Sequence, residues 1–151
     1  MSVEKALRKG NALAAEVKPG KQALQKTDRN RVEEAPATRI VDSLDLDAAT
    51  RSTHSRGNRW DYLLGTSRTD IPLVAVEVHP ANTGEARVVI AKKRAAQELL
   101  RSSLTQGAAV KRWYWVSSGK TVITRGMPEA RLLDAAGIRL VGSRLKLDDE
   151  T

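Results

Sequence analysis

Apolar and polar positions alternate with different periods along the chain, and each change of period marks an element. Over residues 2–17, Val3, Ala6, Leu7, Leu13, Ala14 and Val17 are spaced for one side of a helix. Gly10-Asn11 interrupts that helix, and Lys18-Pro19-Gly20 stops it. Residues 21–38 are polar, charged and proline-containing, which predicts a mobile linker. Over residues 39–47, Leu44 and Leu46 alternate with Asp45 and Asp47; this predicts a first strand or its exit turn, with Asp47 capping a short helical turn. Residues 48–58 read as a loop with His54 exposed. Residues 59–65 form a short run rich in strand formers. Residues 71–79 are β-branched and almost wholly apolar, as a strand covered on both faces should be.

The short polar segment Ser67-Arg68-Thr69-Asp70 between these two runs favours an antiparallel hairpin. A three-residue loop at 68–70 would pair residues whose numbers sum to 138, placing Asp61 opposite Glu77 and Arg59 opposite His79. A two-residue loop would break that opposition. Because side chains alternate between faces, Glu77 and His79 emerge on one face, beside Asp61.

A helix follows, from a capping-box start at Asn82 and Glu85 to a stop at Gly107. Val88, Val89, Ala95, Ala96, Leu99 and Leu100 fall on one arc at 100° per residue, with Arg87, Arg94, Gln97, Glu98 and Arg101 opposite. Lys92 sits in the middle of the apolar stripe, and Glu85 lies on it at the end nearest the strand tip. Residues 109–116 predict a strand in which Trp113, Tyr114 and Trp115 supply core, since the chain has no Phe; set between Lys111-Arg112 and Lys120, the same aromatics also fit stacking on bases. The order strand, helix, strand implies a parallel, right-handed crossover. A short strand at 121–124, a helix at 127–136 with Pro128 in its first turn and Gly137 as C-cap, and strand segments at 138–141 and 144–147 complete the pattern. The expected fold class is α/β, a mixed central sheet flanked by helices. Its expected divisions are an amino-terminal helix and flexible basic linker (1–38), the α/β domain (39–147) and an acidic tail (148–151).

Like charges directly opposite in a sheet destabilise by roughly 0.2–1 kcal/mol, and burying an unpaired carboxylate costs several kcal/mol more. Asp61 and Glu77, converging at the end of an apolar strand, therefore need a counter-charge. A divalent cation, a shared proton or a buried base would each supply one, and Lys92 is the nearest base.

An Asp, a hairpin, then an acid at a strand end followed by a helix resembles the PD-(D/E)XK nuclease superfamily. The resemblance covers about residues 39–147 and implies a restriction-endonuclease-like α-β-β-β-α-β order. It implies a Mg²⁺ (or Mn²⁺) site on Asp61 and Glu77 and makes Asp61, Glu77, His79 and Lys92 the catalytic candidates. The superfamily's motif lysine falls on His79, a departure; some members carry the lysine on the following helix, where Lys92 stands.

Charge agrees with an anionic partner. The formal net charge is +8 and the pI about 10.1, which favours nucleic acid. Nine Lys/Arg and one acid, Glu98, lie between Ala86 and Arg125, whereas acids are frequent from Glu33 to Glu77. Arg59, Lys93, Lys111, Arg112 and Lys120 are the candidate nucleic-acid contacts. The absence of Cys excludes disulfides and thiolate metal sites. No apolar run approaches a membrane span and no secretory h-region opens the chain, which predicts a cytoplasmic protein. Two other functions fit the same residues: a non-catalytic nucleic-acid-binding module, and a protein-interaction module in which the acids and Lys92 form a closed ion-pair network.

Overall fold

The computed structural model describes residues 1–53 and 58–148; His54 and residues 149–151 of the predicted acidic tail lie outside them. In chain order the elements are α1 (Val3–Ala6), a 3₁₀ turn (Ala12–Glu16), β1 (Lys18–Pro19), α2 (Lys26–Arg29), β2 (Val32–Glu33), β3 (Ile40–Asp45), α3 (Leu46–Thr50), β4 (Tyr62–Thr66), β5 (Leu73–Ala81), α4 (Glu85–Ser103), β6 (Arg112–Thr121), α5 (Pro128–Ala136), β7 (Ile138–Leu140) and β8 (Leu145–Lys146). A six-stranded sheet has the order β1-β3-β4-β5-β6-β7, and β2 pairs with β8 in a second, two-stranded sheet. Pairing is antiparallel from β1 to β5 and parallel from β5 to β7, so the central sheet is mixed. No described helix is long and apolar enough to cross a membrane.

The hairpin register is the one a three-residue loop dictates. Tyr62 pairs with Val76, Leu63 with Ala75, Leu64 with Val74 and Gly65 with Leu73, each pair summing to 138. Thr66 closes the turn: its N–H donates to the Pro72 carbonyl at 2.9 Å and its Oγ1–H to the Ile71 carbonyl at 2.7 Å.

Both faces of β5 are covered, as its uninterrupted apolar run requires. On one face Leu63, Leu73, Ala75, Trp113 and Trp115 pack with Val89, Ala96 and Leu100 of α4 and Val3 and Ala6 of α1. Trp60 meets Trp113 edge to face, with ring centroids 5.0 Å apart, a geometry worth about 0.5–1.5 kcal/mol beyond burial. On the other face Tyr62, Leu64, Val74, Val76, Tyr114 and Val116 pack with Leu24, Val32, Leu145 and Leu147.

That second cover corrects the expectation of a mobile linker at 21–38. Leu24 and Val32 are buried, and the polar residues around them staple the backbone instead of solvating it. Lys21 Nζ donates to the carbonyls of Arg29 and Val32, and Arg29 Nε to that of Leu24. The Tyr62 hydroxyl donates to Asp28 Oδ2 at 2.5 Å and accepts from the Gln25 N–H. Burial, then the Asp28 carboxylate, push the Tyr62 hydroxyl well above its ordinary titration range.

Several boundaries move for local reasons. The predicted 2–17 helix is two short pieces, because Gly10 adopts φ 82° between them. The short helix after β3 is capped by Asp45, which accepts from the Ala48 N–H, and not by Asp47. Helix α4 has Gly84 as N-cap without a side-chain cap; Asn82 offers only its carbonyl, to the Glu85 N–H. The buried stripe of α4 runs Ala86, Val89, Ala96, Leu100 and Ser103, leaving Val88 37% exposed. Instead of a separate strand at 121–124, β6 runs on to Thr121, with a register shift against β5 after Ser117.

Asp42 is buried and accepts from the N–H groups of Val3 (2.7 Å) and Glu4 (3.2 Å), fixing α1 against the sheet. The chain passes so close to β4 that a Cβ on Gly65 would lie 2.8 Å from both the Met1 carbonyl oxygen and the Val3 nitrogen. Those are backbone atoms and cannot swing aside. Gly65→Ala is therefore expected to destabilise the protein by about 1–3 kcal/mol, read from urea unfolding. An unchanged midpoint would mean α1 does not dock there.

Candidate functional site

The β4–β5 ladder ends at Tyr62 and Val76, and one step further the two acids take over the backbone bonding. The Asp61 N–H donates to Glu77 Oε1 at 3.0 Å, and the Val78 N–H donates to Asp61 Oδ2 at 2.9 Å. Each carboxylate thus satisfies a donor on the other strand. The Asp61 carbonyl in turn accepts from the Leu46 N–H at 2.8 Å, which ties this corner to the start of α3.

Glu77 lies on the face of β5 that meets α4, and its side chain has no exposed surface. Lys92, one turn along the buried stripe of α4 from Val89, donates from Nζ to Glu77 Oε2 at 2.6 Å. The spacing of the stripe is what aims it there: any lysine at this position must either find an acid or be desolvated alone.

His79 follows two residues after Glu77 on the same face. Its Nδ1 lies 3.5 Å from Glu77 Oε2, and its Nε2 lies 2.6 Å from Glu85 Oε2. The Trp115 indole Nε1–H donates to the His79 carbonyl at 2.9 Å, holding this turn of β5 against β6. Glu85 is the residue that sequence reasoning assigned elsewhere: it was expected to cap α4, but its carboxylate holds the imidazole instead. The available signal was its place on the apolar stripe of α4, which turns it toward the sheet and not toward solvent.

Burial governs the electrostatics. It pushes the Glu77 carboxyl up to about 8, with repulsion from Asp61 adding to the rise; Lys92 and the Asp61 N–H pull the other way without prevailing. Asp61 is pushed up to about 6, again chiefly by burial, against the Val78 N–H and Lys92 and with Asp47 and Asp28 adding repulsion. Burial thus holds both carboxyls above the ordinary range, while Glu77 Oε1 and Oε2 and Asp61 Oδ2 accept from the Asp61 N–H, Lys92 and the Val78 N–H. Of the three counter-charges the sequence allows, the buried base is the one in place, with Lys92 Nζ on Glu77 Oε2.

The basic candidates divide by position. Lys120 lies near the end of β6 beside the turn that carries His79, and it is exposed. Lys111 and Arg112 stand at the other end of β6: Arg112 pairs with Val74 and the Lys111 N–H donates to the Leu73 carbonyl. They are three to four residues before Glu77 along β5, about 10–13 Å away at the usual rise. Arg59 Nε donates to Asp47 Oδ1 at 2.8 Å. Lys93 turns away from the site: it lies over the Trp113 ring, 5.3 Å from its centroid, and its Nζ donates to the Ala136 carbonyl at the end of α5. Its role there is to cap a helix C-terminus, and burial lowers its basicity.

Among the described residues, no group of three or more His, Cys, Asp or Glu side chains is arranged to hold a metal ion. A cage of protein ligands therefore does not fit this site. Mg²⁺ asks for less: one or two carboxylates, with water and substrate phosphate completing an oxygen shell. Asp61 and Glu77 are the hard oxygen donors present, and Glu77 Oε1 and Oε2 and Asp61 Oδ2 already accept from the Asp61 N–H, Lys92 and the Val78 N–H.

The raised acids make stability pH-dependent in a stated direction. An unfolded Glu77 loses its proton near 4.5, whereas the folded side chain keeps it up to about 8. Its contribution is fully present below the lower value and is lost as pH rises through the upper one. In EDTA, Glu77→Gln should flatten the fall of Tm between pH 5 and 9, so that the variant gains on the wild type as pH rises. A difference between the two proteins that does not change with pH would contradict the assigned shift.

Comparison of the chain with protein-family models, with curated proteins and with solved structures gave no match.

Proposed function

We propose that this chain binds nucleic acid and hydrolyses a phosphodiester bond with Mg²⁺ or Mn²⁺ held by Asp61 and Glu77. One observation carries the reading: two carboxylates from neighbouring strand ends, each bonded to the other strand's backbone, with the Lys92 ammonium 2.6 Å from one of them. The elements α1, β3, β4, β5, α4 and β6 occur in that chain order, with shorter elements between α1 and β3 and between β3 and β4; the antiparallel β3/β4 and β4/β5 pairs and the parallel β5/β6 pair support a restriction-endonuclease-like arrangement.

When bound, the ion would supply an activated water and polarise the phosphate. The protein's own groups do the rest. Lys92, held inward by the α4 stripe, stabilises negative charge developing on the phosphate oxygens. His79, fixed through Nε2 by Glu85, is placed to move a proton at Nδ1, the nitrogen facing Glu77. Burial of Glu77 excludes water from its side of the pair and strengthens every interaction there.

The full enclosure of Glu77 favours a second reading, in which Glu77, Lys92, His79 and Glu85 form a closed structural network and the basic surface binds partners without chemistry. Cleavage separates the two. Wild type and Glu77→Gln are incubated with plasmid, single-stranded DNA and RNA in Mg²⁺ or Mn²⁺. The proposal predicts metal-dependent nicking or degradation by the wild type and a loss of at least about 100-fold in the variant, the scale on which positioned acid–base and metal ligands act. Equal behaviour of the two proteins on all three substrates would favour the non-catalytic reading.

A further inference from the structure

Strands β5 and β6 run in register from Val74 and Arg112 to His79 and Ser117, and then part. The next pair is Ala81 with Thr121. Between these pairs one residue of β5, Pro80, faces three of β6, Ser118, Gly119 and Lys120, which form a bulge beside His79. Bulges of this kind re-aim side chains and gather next to active sites.

The bulge is built and held at both ends. Its base, Ser117, is fully buried. The Ser117 N–H donates to the Gly142 carbonyl at 2.7 Å, and its carbonyl accepts from Arg31 Nη1 at 3.1 Å. Its Oγ–H donates to the Gly119 carbonyl at 2.8 Å. On the far side, the Val122 N–H returns to the Ala81 carbonyl at 3.0 Å. Between these anchors Ser118, Gly119 and Lys120 are exposed, and nothing lies within 4 Å of where a Gly119 side chain would start. Among the described residues Lys120 has no ion pair. Of the basic candidates it alone stands at the acid end of β6: Lys111 and Arg112 lie at its start, Arg59 is paired with Asp47, and Lys93 caps α5.

We infer that the Ser117–Lys120 bulge is a substrate clamp, with the Lys120 ammonium holding a backbone phosphate next to the one presented to Asp61 and Glu77. This rests on the nuclease reading above and adds a substrate-positioning residue to it. The physical reason is spacing. Neighbouring strands lie about 4.8 Å apart, and His79 pairs with Ser117, so the bulge that carries Lys120 starts one strand from His79. Exposed and without an ion pair among the described residues, the Lys120 ammonium is open to an anion rather than spent on the carboxylates.

The test is fluorescence anisotropy with a labelled 20-nucleotide single strand and the matching duplex, titrated from low to moderate salt in EDTA. Wild type, Lys120→Ala, Lys120→Arg and Lys146→Ala are compared; Lys146 is exposed on β8. Lys120→Ala is expected to bind severalfold more weakly, with a salt slope shallower by about 0.7–0.9, the loss of one phosphate contact. Lys120→Arg should keep the slope, and Lys146→Ala should match the wild type. In the cleavage assay Lys120→Ala should raise KM while leaving kcat nearly intact. If wild type binds and Lys120→Ala binds with the same affinity and slope, the clamp is wrong and the nuclease reading survives. If Lys146→Ala loses as much as Lys120→Ala, the effect is of net charge and the clamp is equally refuted. A wild type that shows no salt-sensitive binding would remove the nuclease reading itself.

Discussion

A fully buried carboxylate at the end of an apolar strand is the constraint around which this molecule is arranged. Glu77 cannot be left alone: an uncompensated buried charge costs several kcal/mol, and breaking a buried pair typically costs about 3–5 kcal/mol. The fold answers with three groups from three elements. The Asp61 N–H comes from the start of β4, the Lys92 ammonium from the buried stripe of α4, and the His79 ring from the next outward turn of β5 itself. Each contact fixes one packing decision. The first locks the hairpin register, the second fixes the rotation of α4 on the sheet, and the third brings Glu85 and the start of α4 over the strand end.

The rest of the chain makes that arrangement rigid. β5 carries the site only because it is enclosed, with α1 and α4 on one face and the segment from Leu24 to Val32, with Leu145 and Leu147, on the other. Trp115 does double service: its ring is core, and its indole N–H holds the His79 carbonyl. At the sheet's far end the backbone of Lys111 and the pairing of Arg112 with Val74 begin the parallel ladder that sets where β6 ends. The acid end and the basic surface are thus joined through a single pair of strands.

Much of this was legible in the sequence, for identifiable reasons. Strict alternation fixes which residues share a face, and a three-residue loop, one of the two lengths the sequence allowed, then brings Asp61 and Glu77 together. Lys92 stood out because a charged residue at the centre of a 3.6-residue stripe breaks the pattern of every neighbour. The cover provided by 21–38 was not legible. Its composition is that of a linker, and only in three dimensions do Lys21 and Arg29 spend their charge on backbone carbonyls. Glu85 was misassigned because an acid three residues after Asn82 satisfies the capping pattern whether or not it caps. Val88 was placed on the wrong side because a stripe read by periodicity alone can be rotated by one residue, and the burial of Ala86 and Ser103 settles its direction.

The proposed metal site requires a divalent cation to compete with protons for Asp61 and Glu77, whose carboxyls burial raises. A Mg²⁺ titration followed by thermal unfolding at pH 8.5 tests it most directly, with Asp61→Asn as the comparison, because only a ligand bound to the folded state raises Tm. The wild type is expected to show a saturable rise that shrinks as pH is lowered toward 6, where protons compete more strongly for the raised acids, and Asp61→Asn no rise. A wild-type Tm that does not respond to Mg²⁺, or an equal response in both proteins, would contradict it.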